Sequence, residues 1–221
     1  MVCKRIHGEI DGRAGEMMEF WNEAITNASW GKLKDLNAEI RFVLIGGWAT
    51  YTYTGLNKSK DIDIIVDYGE LEELNRKYNL HKNDILRKYE VKLPSFDIDV
   101  HLPHYSKLAV PPEDILKSLT VSIGGFLLPR IDVLIALKIA AFLSRKDSAK
   151  GKKDEVDVIG LLLNENLSIK LLKETLIKYE HEDYLDIIKG FLRTRDTDIL
   201  SYLNTNVHAF SKEGKRLLGT M

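Results

Sequence analysis

The amino-acid sequence predicts an α+β protein. A sheet-bearing half over residues 1–129 joins a mostly α-helical half over 130–221, and the two are expected to form one compact unit. Three observations carry this expectation. Short apolar runs at 42–45 and 61–66 are separated by a diglycine and a helix-length segment. Residues 96–101 alternate strictly between apolar and polar, which is the side-chain period of a strand. From Arg130 onward the pattern turns helical, and no flexible linker marks the boundary near Pro129.

Taken in order, residues 1–13 carry little pattern. Met17, Met18, Trp21, Ala24 and Ile25 recur at helical spacing, so an amphipathic helix is expected over 15–26, with a second short helix over 30–37. The stretch 42–67 reads as strand, glycine turn, short helix, polar break and second strand. Residues 68–78 read as a surface helix with Leu71, Leu74 and Tyr78 on its apolar side. Two strands follow at 85–93 and 96–102, and the break at Pro94-Ser95 predicts a hairpin.

Pro111-Pro112-Glu113-Asp114 opens a helix, because proline fixes φ and acids in the first turn suit the helix dipole. A second hairpin is expected over 120–128, turning at Gly124-Gly125. Residues 131–143 are apolar nearly all round, the mark of a buried helix. Further helices are expected at about 168–179, 182–193 and 196–203. The tail with Lys212, Lys215 and Arg216 is expected to fray.

Composition bounds the function. At 221 residues, 44% of them hydrophobic and 29% charged, the chain can bury a sizeable core. A formal net charge of −1 argues against a globally basic nucleic-acid binder. The single cysteine, Cys3, excludes an internal disulfide framework and any Cys-based zinc site, and fits a reducing compartment. No apolar run reaches the ~20 residues that span a bilayer. A soluble, cytoplasmic protein with no membrane partner is expected.

The chemistry concentrates in 42–67. In a strand Asp61 and Asp63 point to one side while Ile62, Ile64 and Val66 line the other. Two carboxylates about 7 Å apart along a strand repel each other unless a cation lies between them. Oxygen ligands of this kind suit Mg²⁺, which takes its remaining ligands from water and substrate phosphates. Gly46-Gly47 supplies the complement: without a Cβ, backbone N–H groups at a helix start approach a phosphate closely. By the same alternation Asp97, Asp99 and His101 share one face of the strand at 96–102. His101, with His104 three residues on, is a minor candidate for a ligand or base. Lys138, inside the apolar helix, needs an anion nearby, either a core carboxylate or a ligand. Arg145 lies along the same helical stripe.

The apolar run, Gly46-Gly47 and the apolar-flanked Asp61-Ile62-Asp63, in that order and spacing, resemble the signature of the nucleotidyltransferase superfamily related to DNA polymerase beta. The resemblance implies a nucleotidyltransferase fold, with a small mixed β-sheet flanked by helices and a helical C-terminal lobe. It implies Mg²⁺ as cofactor, two ions with Mn²⁺ as a substitute, and a nucleoside triphosphate as substrate. Asp61, Asp63 and a third acid on the neighbouring strand would be the catalytic metal ligands; Ile98-Asp99-Val100 fits that third acid, with Asp97 as the competing choice. Gly46 and Gly47 would steady the phosphates, and Lys138 would hold triphosphate oxygens.

Residues 138–157 add a narrower likeness. A lysine in an Ala-rich helix, a basic loop, and Lys153-Asp154-Glu155-Val156-Asp157 opening the next helix are similar to the abortive-infection (AbiEii-type) nucleotidyltransferase toxins, which carry arginine where Lys153 stands. That likeness adds Asp154 as a nucleotide-binding residue and Asp157 and Lys152 as supporting ones, and it makes a neighbouring antitoxin protein a possible partner. The family often has a basic residue and a threonine before Asp-x-Asp; here Asn57, Lys58 and Ser59 stand there, with Lys58 the candidate for the arginine's place. The acceptor, whether protein, tRNA or small molecule, is not written in the sequence. Two rival readings stay open. One is a metal-dependent phosphodiesterase or nuclease built on Asp61, Asp63, Asp97, Asp99 and His101. The other is a catalytically silent nucleotide-binding module.

Overall fold

A computed structural model of the chain describes residues 20–221. Met17 and Met18, on the first expected helix, lie outside the described residues. Within them a single helix, α1 (Glu23–Glu39), replaces the two expected at 15–26 and 30–37. The polar stretch around Ser29 looks like a break in sequence. In the fold Ser29 is fully buried and its hydroxyl accepts the indole N–H of Trp48 at 2.9 Å, so that stretch packs inward as helix. Asn22 caps the helix, its side chain accepting from the Ala24 N–H.

The core motif follows as read: β1 (Val43–Ile45), α2 (Gly46–Thr54) and β2 (Ile62–Ile65). Helix α2 ends at Gly55, whose left-handed backbone lets its N–H return to the Tyr51 carbonyl at 2.7 Å. Helix α3 (Tyr68–Lys77) is capped by Asp67 and leads into β3 (Leu80–Asn83), a strand not expected from the sequence. The expected strand at 85–93 is shorter, β4 (Lys88–Lys92), because residues 84–87 form the turn from β3 and leave Ile85 93% exposed. The hairpin at Pro94-Ser95 then joins β4 to β5 (Asp97–His101) as expected.

These strands make one mixed sheet in the order β1-β2-β5-β4-β3. Strand β2 runs antiparallel to β1 and parallel to β5, and β4 is antiparallel to both its neighbours. Ile62, Ile64, Ile98 and Val100 are fully buried on one face, which leaves the alternate residues Asp63 and Asp99 on the other. Helix α4 (Pro112–Ser118) and the hairpin of β6 (Thr120–Ile123) and β7 (Phe126–Pro129) complete the first half.

The second half is helical: α5 (Ile131–Arg145), α6 (Ala149–Leu162), α7 (Ile169–Lys178), α8 (Tyr184–Phe191), α9 (Thr197–Tyr202) and α10 (Val207–Leu218). The fold is thus α+β, a five-stranded mixed sheet flanked by helices. Two sequence expectations are corrected here. The basic stretch at 149–153 is the first turn of α6 and no loop, because Ser148 caps the helix by accepting the Gly151 N–H at 3.0 Å. The basic tail is also helix, held by buried Phe210 and Leu217. Among the described residues no helix is long and apolar enough to cross a membrane.

Candidate active site

A cleft of about 440 Å³ opens between the sheet and helices α5 and α6. Gly46, Gly47, Asp61, Asp63, Asp99 and His101 line it from the sheet side, and Lys138, Arg145, Lys153 and Asp154 from the helices.

The sheet register builds the acidic wall. Asp63 and Asp99 are direct neighbours on the parallel strands β2 and β5. Asp61 lies just before β2, where its Oδ1 accepts the Asp97 N–H at 3.2 Å and its Oδ2 faces Lys150 Nζ at 3.3 Å. Burial pushes the Asp63 carboxyl up from its ordinary pKa, and the nearby charge of Asp61 adds to this against the pull of Lys138. Asp99 is raised to about 6 by burial and by Asp63 beside it. Its Oδ2 is 2.6 Å from Lys88 Nζ, while its Oδ1 is buried with no hydrogen-bond partner.

The diglycine is sterically required by this wall. Gly46 has φ +66°, and a Cβ there would lie 2.1 Å from Asp63 Oδ2. A Cβ on Gly47 would meet the Ser59 hydroxyl at 2.4 Å. Only glycine brings the start of α2 this close to the acids.

The helix wall carries the opposite charge balance. Lys138 Nζ is 2.7 Å from Asp157 Oδ2 and 3.2 Å from Asp154 Oδ1. Arg145 Nε reaches the other Asp154 oxygen at 2.7 Å, and Lys153 Nζ shares Asp157 Oδ2 at 2.9 Å. The cations Lys138, Arg145 and Lys153 therefore outnumber the carboxylates Asp154 and Asp157. Burial works against the charge of Lys138, yet Asp157 and Asp154 hold its pKa above the ordinary value. Lys153 goes the other way: burial and the charge of Lys138 push it down despite Asp157. Against burial, Lys138 and Arg145 hold the Asp154 carboxyl below its ordinary pKa.

Most residues expected from the sequence converge here: Gly46, Gly47, Asp61, Asp63, Asp99, Lys138 and Asp154 all line the cleft. Lys138 has core carboxylates as its partners, and Asp154 works by binding Lys138 and Arg145. Of the two competing third acids, Asp97 does not line the cleft; it pairs with Lys92 at 2.8 Å.

Lys58 also stands apart. It lies within 3.5 Å of Glu23 and 3.4 Å of Asn27 and lines a separate small cleft with Trp30, Trp48 and Tyr51. Lys152 turns to Asp198 and Asp196, at 3.2 and 3.6 Å. His101 lines the cleft with its Nδ1 buried and unpartnered, and burial lowers it to about 4, so it is neutral at pH 7. His104 is exposed beside Glu113. The aromatic residues of α2, Trp48, Tyr51 and Tyr53, do not line the main cleft; Trp21 does. Sequence reasoning also missed Lys88, Lys60, Lys107 and Lys150, whose positions depend on strand pairing and on helix packing.

The donor set suits a hard divalent ion held in part by the protein. Asp61 and Asp63 offer oxygens to one cleft, and repulsion between them favours a cation there. Among the described residues no group of three or more His, Cys, Asp or Glu side chains is placed to hold an ion by itself.

No protein-family model and no curated protein matches the chain. Among solved structures, JHP933 from Helicobacter pylori is similar with a TM-score of 0.48 and 16% identity, over 90% of this chain and 95% of that one. An antigenic nucleotidyltransferase-like protein from Paracoccidioides brasiliensis is similar with a TM-score of 0.37 and 17% identity, over 83% of this chain and 92% of that one. At these scores neither likeness carries an assignment.

Proposed function

We propose that the protein is a nucleotidyltransferase that moves a nucleoside monophosphate from a nucleoside triphosphate to a hydroxyl acceptor. The observation that supports this reading best is the meeting of Asp61, Asp63 and Asp99 with the diglycine turn across from a cation-rich helix wall. Asp61 and Asp63 would hold Mg²⁺, which when bound draws charge from the phosphate oxygens and lowers the barrier to in-line displacement.

The chain's own groups supply the rest. Backbone N–H groups at the start of α2 come close to the phosphates because Gly46 and Gly47 lack a Cβ. The excess positive charge of Lys138, Arg145 and Lys153 favours the triphosphate tail and the pyrophosphate that leaves. Asp99, raised to about 6, is largely ionised at neutral pH and would take the proton of the attacking hydroxyl. The acceptor is to be sought among protein, tRNA and small molecules, and a partner antitoxin belongs to the same reading through the likeness of residues 138–157 to abortive-infection toxins.

The test is incubation with each α-labelled and γ-labelled nucleoside triphosphate in a cell lysate. Transfer of the α label with release of labelled pyrophosphate is expected, and Asp63→Ala abolishes it while remaining folded. Hydrolysis of a phosphodiester without pyrophosphate release would move the assignment to a nuclease. Full transfer activity in a soluble Asp63→Ala protein would overturn the site.

A further inference from the structure

The acidic wall already contains a cation. Lys88 Nζ lies 2.6 Å from Asp99 Oδ2 and 3.0 Å from Glu90 Oε1, and its side chain is only 14% exposed. Strand pairing puts it there. Glu90 stands opposite Asp99 in the antiparallel register of β4 and β5, and Lys88, two residues earlier, shares the face of Glu90 and reaches diagonally to Asp99. The contact has the length of a charge-assisted hydrogen bond.

Resting on the transferase reading above, we propose that the Lys88 ammonium stands where a second divalent ion would sit at Asp99, so that the site takes one divalent ion, on Asp61 and Asp63. Three features support this. An ion bound to Asp99 Oδ2 would share that oxygen with the ammonium 2.6 Å from it, and like charges so close repel strongly in a recessed site. Charge balance points the same way, since Lys88, Lys150 and a single divalent ion together neutralise Asp61, Asp63, Asp99 and Glu90. The neighbouring carboxylate that might draw Lys88 away, Glu90, is itself shared with Lys92 at 3.2 Å. Lys88 is thus a positioning residue: it fixes Asp99 Oδ2.

Counting ions tests this directly. Crystals of the full chain are soaked in Mn²⁺ with an α,β-methylene nucleoside triphosphate, and Mn²⁺ is located by its anomalous scattering. One ion is expected in wild type, in Lys88→Arg and in Asp99→Asn, and two in Lys88→Met, with thermal melts establishing that each variant is folded. Two ions in wild type, loss of the ion in Asp99→Asn, or a single ion in folded Lys88→Met overturns the inference and leaves the transferase reading standing. No ion in wild type overturns both. Where Lys88→Met does not fold, the wild-type and Asp99→Asn counts decide.

Discussion

The two walls of the cleft both hold carboxylates out of solvent, and they hold them in opposite ways. On the strand wall Asp63 and Asp99 stand side by side, and burial raises both, with the charge of Asp61 adding to the rise of Asp63 and that of Asp63 to the rise of Asp99. On the helix wall Asp154 is bracketed by Lys138 and Arg145, which lower it despite equal or deeper burial. The difference teaches that the two cations close to the strand acids, Lys88 at Asp99 and Lys150 at Asp61, are fewer than Asp61, Asp63 and Asp99, while the helix acids are counter-ions for an excess of positive charge.

Replacing Lys138 by methionine breaks this contrast most severely. Asp154 and Asp157 would keep only Arg145 and Lys153, and removing one partner of a buried ion cluster costs about 3–5 kcal/mol. Urea denaturation is expected to show that loss in Lys138→Met. Asp63→Asn is expected to hold or gain stability by the same measurement, since it relieves repulsion.

A pH series sharpens the comparison at intermediate scale. Asp99, at about 6, keeps its proton in the folded protein where the unfolded chain, near about 3.9, has lost it. The folded state then binds more protons, so this group's contribution to stability falls as pH rises from about 4 to about 6. Asp154 is lowered by folding, so its contribution is present above about 3.9 and is lost as pH falls through the folded value. Denaturation midpoints are expected to fall less between about pH 4 and about pH 6 in Asp99→Asn than in wild type.

The smallest effect is expected at Lys58, which faces Glu23 outside the cleft. Lys58 does not line the main cleft, so Lys58→Ala should change transfer activity less than about twofold. A loss of transfer as large as that of Asp63→Ala would return Lys58 to the site.

How much was legible in the sequence follows from the range of each interaction. The diglycine, Asp61-x-Asp63 and the alternation through Asp97, Asp99 and His101 are local, and period and composition expose them. Lys138 was legible because a charge inside an apolar helix is conspicuous. Strand β3 was hidden because its residues, Leu80–Asn83, include exposed His81 and Lys82 and carry no apolar alternation. Lys88 was hidden because its role exists only once β4 pairs with β5. The choice of Asp99 over Asp97 as a cleft residue likewise needed the register, since alternation puts both on one face. Lys58 was placed in the site by its nearness in sequence to Asp61, and the packing of α1 draws it elsewhere.

The spacing of charges along the chain bears on how the protein matures during synthesis. Asp99 finds Lys88 eleven residues away within one hairpin, so that acid is neutralised as soon as the hairpin closes. Asp63 draws on Lys138, which leaves the ribosome only after the whole sheet-bearing half. Until then the nascent sheet holds Asp63 without the charge of Lys138. A chain arrested before α5 would carry the acids of the cleft without the helix wall that faces them.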